Sequence, residues 1–165
     1  MSSVPSWTSS SPSTHILPIP KMLNSLRRVF RSFQDRDVCH VVIGGIAAII
    51  HGVPRATFDL DILIEATEEN AERLLKALLD AGVGTATLTT ANSVLANEIT
   101  VFKDFVRIDV QTSTPGSTLE TAWTNKIAAV YEGQQFHVVS RSDLIASKSA
   151  GPAKWASKIS KFCCR

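Results

Sequence analysis

The chain has 165 residues, 44% of them apolar, enough for one domain with a real core. Seventeen Lys and Arg against fifteen Asp and Glu leave a formal charge of +2, too weak a field to drive non-specific nucleic-acid binding, so any contact with a polyanion must be local. No apolar run approaches the roughly 20 residues of a membrane span. Three cysteines, Cys39 and the adjacent Cys163 and Cys164, make neither a C-x-x-C pair nor an even framework, so a zinc site or a disulfide scaffold finds no support and a soluble, cytoplasmic protein is expected.

Residues 1–21 are rich in Ser and Pro and contain no acidic residue, a composition that favours a disordered tail. No acid precedes Asp35, whereas Lys21, Arg27, Arg28 and Arg31 are basic, which has the flavour of an organelle transit peptide. An upstream start codon, with Met22 opening the natural protein, is the plainer account. From Met22 to Phe33 the apolar residues Leu23, Leu26, Phe30 and Phe33 share one side of a helix, and the arginines lie elsewhere, as a solvated face. Val38 to Ile43 reads as a buried strand. Gly44 and Gly45 then turn the chain into a short helix, Ile46 to Ile50, stopped by Gly52 and Pro54.

Phe58 to Ile64 is the next strand. Thr67 caps a helix with Glu68 and Glu69 in its first turn, an apolar stripe of Leu74, Leu75, Leu78 and Leu79, and Gly82 at its end. Asn97 to Phe102 and Phe105 to Thr112 form a hairpin around Lys103 and Asp104. Ser117 and Glu120 make a capping-box pattern for a helix through Trp123. A second strand pair, Ile127 to Tyr131 with Gln135 to Val139, turns at Glu132 and Gly133, and Ser140 with Asp143 opens a last helix through Lys148. This order predicts an α+β (mixed α/β) domain over residues 22–165, one mixed sheet with helices mainly on one face.

The chemistry lies in FDLDILI. Alternation along a strand points Asp59 and Asp61 to the same face, with Leu60 turned into the core. Carboxylates buried among apolar residues cost several kcal/mol each unless something positive meets them. Hard oxygen donors select Mg²⁺, which takes one or two carboxylates and leaves its other positions to water and phosphate. Asp109, in Arg107-Ile108-Asp109-Val110, sits in a strand that could join them, and three such ligands can hold two metals for in-line phosphoryl transfer. The chain contains its own control: Asp35 and Asp37 in QDRDV have the same spacing but follow a helix, lack apolar flanks and read as a solvated turn. Gly44 and Gly45, between strand and helix, leave backbone N–H groups free to approach a phosphate.

Gly-Gly, then Asp-Leu-Asp after a short helix, then Ile-Asp-Val much later resembles the nucleotidyltransferase superfamily that includes DNA polymerase beta. The fuller phrase VVIGGIAAIIHGVPRATFDLDILIEATEENAERLLKAL looks like the small branch related to AbiEii-type toxin nucleotidyltransferases, from about Val38 to Lys148. The resemblance implies that Asp59 and Asp61 bind the metal gripping a nucleoside triphosphate. Asp109 would share a second Mg²⁺ and help deprotonate the attacking hydroxyl, and Gly44 and Gly45 would hold phosphate. Arg55 and Thr57 match an Arg and Thr common in the branch, and Lys148 matches a lysine that would contact triphosphate. His51 matches a common His-Gly, though a place at a helix C-terminus explains it as well. The implied acceptor is a tRNA end, a protein or a small molecule, with a cognate protein partner as in toxin–antitoxin pairs and no membrane. Relatives continue with a Gly-Arg-x-x-Asp phrase where this chain has GPAKWASKISKFCCR, as a truncated or frameshifted end would produce. A protein that keeps the fold without the chemistry, an antitoxin or a decayed homologue, is the alternative.

Overall fold

The computed structural model describes residues 23–57 and 59–150. The Ser/Pro-rich tail, Met22 at the head of the first expected helix, Phe58 at the head of the second strand and everything after residue 150 lie outside the described residues. Helix α1 (Leu23–Asp35) leads into strand β1 (His40–Ile43), helix α2 (Gly44–Ile50), strand β2 (Asp59–Ile64) and helix α3 (Glu68–Asp80). A 3₁₀ turn (Gly84–Leu88) and helix α4 (Ala91–Ala96) follow, then strands β3 (Ile99–Lys103) and β4 (Arg107–Gln111), helix α5 (Leu119–Asn125), strands β5 (Ile127–Tyr131) and β6 (Gln134–Val138), and helix α6 (Arg141–Ala150).

The six strands form one mixed sheet in the order β3-β4-β2-β1-β6-β5. Antiparallel pairs β3/β4, β1/β2 and β5/β6 are joined by two parallel contacts, β2/β4 and β1/β6. One face carries Val42, Leu60, Ile62, Ile64, Phe102, Ile108 and Val110, all buried, and continues through Phe136 and Val138. Helix α1 docks there: Phe30 stacks on Phe136 at 4.3 Å, and Phe33 meets the His40 ring edge-on at 4.8 Å. Helix α3 lies beside α1, tied by the buried Ser32 hydroxyl donating to the Ala77 carbonyl at 2.6 Å. The opposite face is covered by the shorter α2 over β2 and β1 and by α5 over β1, with α6 packed against both helices and Trp123 of α5 edge-on to His137 at 5.3 Å. Toward β3 that face opens, and Ile99 and Val101 are exposed.

The mixed α+β architecture and both hairpins agree with the sequence. Glu132 and Gly133, both at positive φ, make the two-residue turn between β5 and β6. Asp35 and Asp37 are exposed at the end of α1, as a solvated turn should be. Ser140 caps α6, accepting from the Asp143 N–H and donating to its carboxylate.

Several expectations are corrected. Gly44 and Gly45 do not form a turn ahead of a helix at Ile46; they are its first residues. The cap of α5 is Thr118, which accepts from the Thr121 N–H at 3.2 Å, whereas Ser117 is held in an extended bridge to Thr114. Two adjacent hydroxyls offer the same local cap, and that bridge selects the second. Along α3, Leu74 and Leu78 are fully buried, but Leu79 is 41% exposed, and Ala71, Ala77 and Ala81 complete the buried face of a helix that packs against α1 and α4. The 3₁₀ turn and α4 were not expected: GTATLTTANSVLA is short and Thr-rich, without helical periodicity, and α4 depends on Thr90 as its cap.

Among the described residues no helix is long and apolar enough to cross a membrane.

His40 gives the fold a pH dependence. Its Nδ1 bonds the Val38 carbonyl at 2.9 Å, its Nε2 is buried without a partner, and burial, helped slightly by His137, pushes its pKa down to about 4. The ring is neutral when folded and must take up a proton on unfolding below its ordinary value. Stability therefore falls as pH drops from about 6.5 to about 4, by about 3 kcal/mol. Urea unfolding at pH 4.5 and 7 should show this slope, and His40→Phe, which keeps the ring packing, should flatten it; an unchanged slope would assign the acid sensitivity to other groups.

Candidate functional site

The site forms where β1 ends and β2 and β4 begin, on the sheet face that carries α2. In the parallel register of β2 and β4, Asp61 lies directly opposite Asp109 and Asp59 opposite Arg107, so all four side chains leave on that one face. Ile43, immediately before the glycines, is the antiparallel partner of Asp61 on the other side. Three carboxylates from two strands 48 residues apart are thus neighbours beside the start of α2.

Asp61 is the inner member. Burial raises its pKa above the usual carboxylate value, and Asp109 and then Asp59 raise it further, while the Gly45 N–H and the Lys148 ammonium act in the opposite sense. Lys148, on α6, is thus near enough for its ammonium to act on Asp61, although the two are 87 positions apart in the chain. The glycines are explained by close packing. A Cβ on Gly44 would lie 2.7 Å from Asp61 Cγ, and Gly44 has φ +67°, a backbone that side chains rarely adopt. A Cβ on Gly45 would lie 2.7 Å from Thr57 Oγ1. Gly44 lets Asp61 reach the helix start, and Gly45 seats Thr57.

Arg107 is the residue that sequence reasoning passed over. Its guanidinium forks onto Asp109, Nε to Oδ1 at 2.8 Å and Nη2 to Oδ2 at 3.0 Å, and its Nε stands 3.9 Å from Asp59 Oδ2. The signal was present, since Arg107 and Asp109 share a face by the same alternation that pairs Asp59 with Asp61. Beyond Arg107 a groove of about 430 Å³ runs along β3, lined by Thr85, Leu88, Val101 and Lys103.

The remaining sequence candidates separate. Arg55 is exposed in the loop before β2, and Thr57 is half-buried over Gly45. His51 Nε2 bonds the Val139 carbonyl at 2.8 Å, anchoring the end of α2 to the chain after β6, which is a structural use.

The donors fit Mg²⁺ in kind: three hard carboxylates, two in direct register, with mutual repulsion at Asp61 that a cation would relieve. Among the described residues no three such side chains converge as a ready metal cluster. Both oxygens of Asp109 accept from Arg107, so a cation would have to share this carboxylate with the guanidinium or displace it.

No family model matches the chain, and no curated protein gives a significant match. Among solved structures, the crystal structure of a Thermotoga maritima protein assigned provisionally as a nucleotidyltransferase superposes with a TM-score of 0.59 at 16% identity, over 92% of this chain and 98% of that one. Likeness at this identity speaks for architecture. The chain shares the fold of that structure, built here as a single mixed six-stranded sheet, and carries its acidic residues where β2 and β4 begin side by side.

Proposed function

We propose that the protein is a minimal Mg²⁺-dependent nucleotidyltransferase, moving a nucleoside monophosphate from a nucleoside triphosphate to a hydroxyl acceptor with release of pyrophosphate. The observation that carries this reading is the in-register pair Asp61 and Asp109, with Asp59 beside them and Lys148 charged toward them, at the glycine start of α2. The nucleotidyltransferase fold supports it, and so does the resemblance of the Gly-Gly and Asp-Leu-Asp phrases to the AbiEii-type branch.

Asp59, Asp61 and Asp109 would hold two Mg²⁺ ions, whose chemistry there is to neutralise the triphosphate and the entering and leaving oxygens. The chain's own groups do the rest. Lys148, with Arg55 and Thr57 on the loop before β2, binds the triphosphate, and the backbone at Gly44 and Gly45 admits it closely. Asp109 takes the proton of the acceptor hydroxyl as that oxygen bonds the α-phosphorus and the bond to the bridging oxygen of pyrophosphate breaks. Catalysis is mostly positioning and charge complementarity. The acceptor is a macromolecule, a tRNA end or a protein, in preference to a small molecule, because the resembling toxins modify such targets, and a cognate protein partner follows from the same likeness.

The test is transfer of radiolabelled nucleotide to components of a cell extract, with each triphosphate in turn. Label should move only with Mg²⁺, and Asp59→Asn should reduce it by about 10²-fold or more. Transfer that persists in EDTA, or in Asp59→Asn, would refute the metal assignment. One observation favours an inactive, binding-only homologue: Arg107 already neutralises Asp109, so an idle site would not be left with three unopposed charges. Thermal stabilisation by Mg²⁺ and triphosphate, without turnover on any extract, would select that reading.

A further inference from the structure

We infer that Arg107 competes with metal for Asp109 and, once displaced, joins Lys103 in binding the triphosphate, so that metal and triphosphate bind cooperatively; the inference rests on the nucleotidyltransferase reading. Asp109 is only 15% exposed, and both its oxygens are taken by the two-pronged guanidinium at 2.8 and 3.0 Å. The fork takes one lone pair on each oxygen and leaves a metal only the outward, less favourable pair on each until it opens. The same guanidinium reaches toward Asp59 at 3.9 Å and so lies among the oxygens that a cation would occupy. It supplies positive charge to both carboxylates.

The displaced side chain has somewhere to go. Arg107 is itself 41% exposed, and its direct partner across the β3/β4 ladder is Lys103, on the same face and lining the same groove. Two cations side by side repel when nothing anionic lies between them, and a polyphosphate supplies the missing charge. Metal alone must therefore break the Arg107–Asp109 fork without compensation, whereas metal arriving with triphosphate re-employs the guanidinium. Asp109 would then be free to accept a proton only when both are bound, which protects against unproductive hydrolysis at a half-filled site.

The experiment measures Mn²⁺ binding by electron paramagnetic resonance, alone and with saturating tripolyphosphate, for the wild-type protein, Arg107→Gln and Arg107→Lys, with circular dichroism to confirm folding. Arg107→Gln should bind Mn²⁺ alone about 5- to 10-fold more tightly than wild type, and tripolyphosphate should enhance Mn²⁺ affinity far less in the variant than in wild type. Lysine keeps the charge but lacks the fork. Arg107→Lys should therefore fall between wild type and Arg107→Gln for Mn²⁺ alone and keep part of the tripolyphosphate enhancement. Equal Mn²⁺ affinity in wild type and Arg107→Gln would overturn the competition while leaving the nucleotidyltransferase reading in place. Failure of all three proteins to bind Mn²⁺, with or without tripolyphosphate, would overturn both.

Discussion

Asp61→Asn is expected to make the metal-free protein more stable and the proposed transfer reaction far slower. The two effects have one cause. The folded protein holds the Asp61 carboxyl at a raised pKa, mainly through burial and then through Asp109. A carboxyl whose folded pKa lies above its unfolded value binds more protons when folded, so stability declines as pH rises through that interval and the deficit remains at neutral pH. Asparagine removes the charge and keeps an oxygen for the Gly45 N–H. The gain should be visible at pH 7 as a higher melting temperature, and it should shrink as pH falls through the raised titration of Asp61. Activity should drop by about 10³-fold because a neutral amide is a poor ligand for a hard divalent ion. A variant that melts lower than wild type at pH 7 would show that Asp61 is stabilised by Lys148 and Gly45 more than burial and Asp109 penalise it. Retained transfer would remove Asp61 from the chemistry.

Gly44→Ala should be the most damaging small substitution in the site. The methyl group would overlap the Asp61 side chain, and the residue would keep a φ of +67°. Backbone strain of this kind costs about 1–3 kcal/mol, before any displacement of Asp61. Gly52→Ala is the control, since Gly52 also has positive φ, +87°, but nothing lies within 4 Å of its added Cβ. Both variants should lose stability in urea, Gly52→Ala by about 1 kcal/mol and Gly44→Ala by at least about 2 kcal/mol. Only Gly44→Ala should also lose metal binding and transfer. Matching behaviour of the two would mean that Gly44 serves its backbone conformation and not its carboxylate neighbour.

The dependence of Gly44 on Asp61 shows where sequence reading reaches its limit. Glycines after a strand announce a turn or a phosphate approach, and both readings concern the backbone of one segment. That the first glycine exists to admit a carboxylate from the following strand is a contact between segments, visible only once β1 and β2 are laid antiparallel with Ile43 beside Asp61. Arg107 is the converse case. Its position two residues before Asp109 assigned it to the carboxylate face, yet attention to acids alone left their counter-ion unread.

Side-chain alternation is a property of every extended chain, so the common face of Asp59 and Asp61, the solvated character of Asp35 and Asp37, the two hairpins and the mixed α+β class were all written in local order. The placing of Asp109 opposite Asp61 was not. It depends on the crossover through α3, α4 and β3 that lays β4 parallel to β2 in one of several registers, and a slip of one residue would turn Asp109 to the buried face. Burial of Leu60, Ile62, Ile108 and Val110 on that other face decides the register. Apolar packing across the whole sheet, and no feature of the Asp-containing segments alone, is what brings the third carboxylate, its arginine and Lys148 to one place.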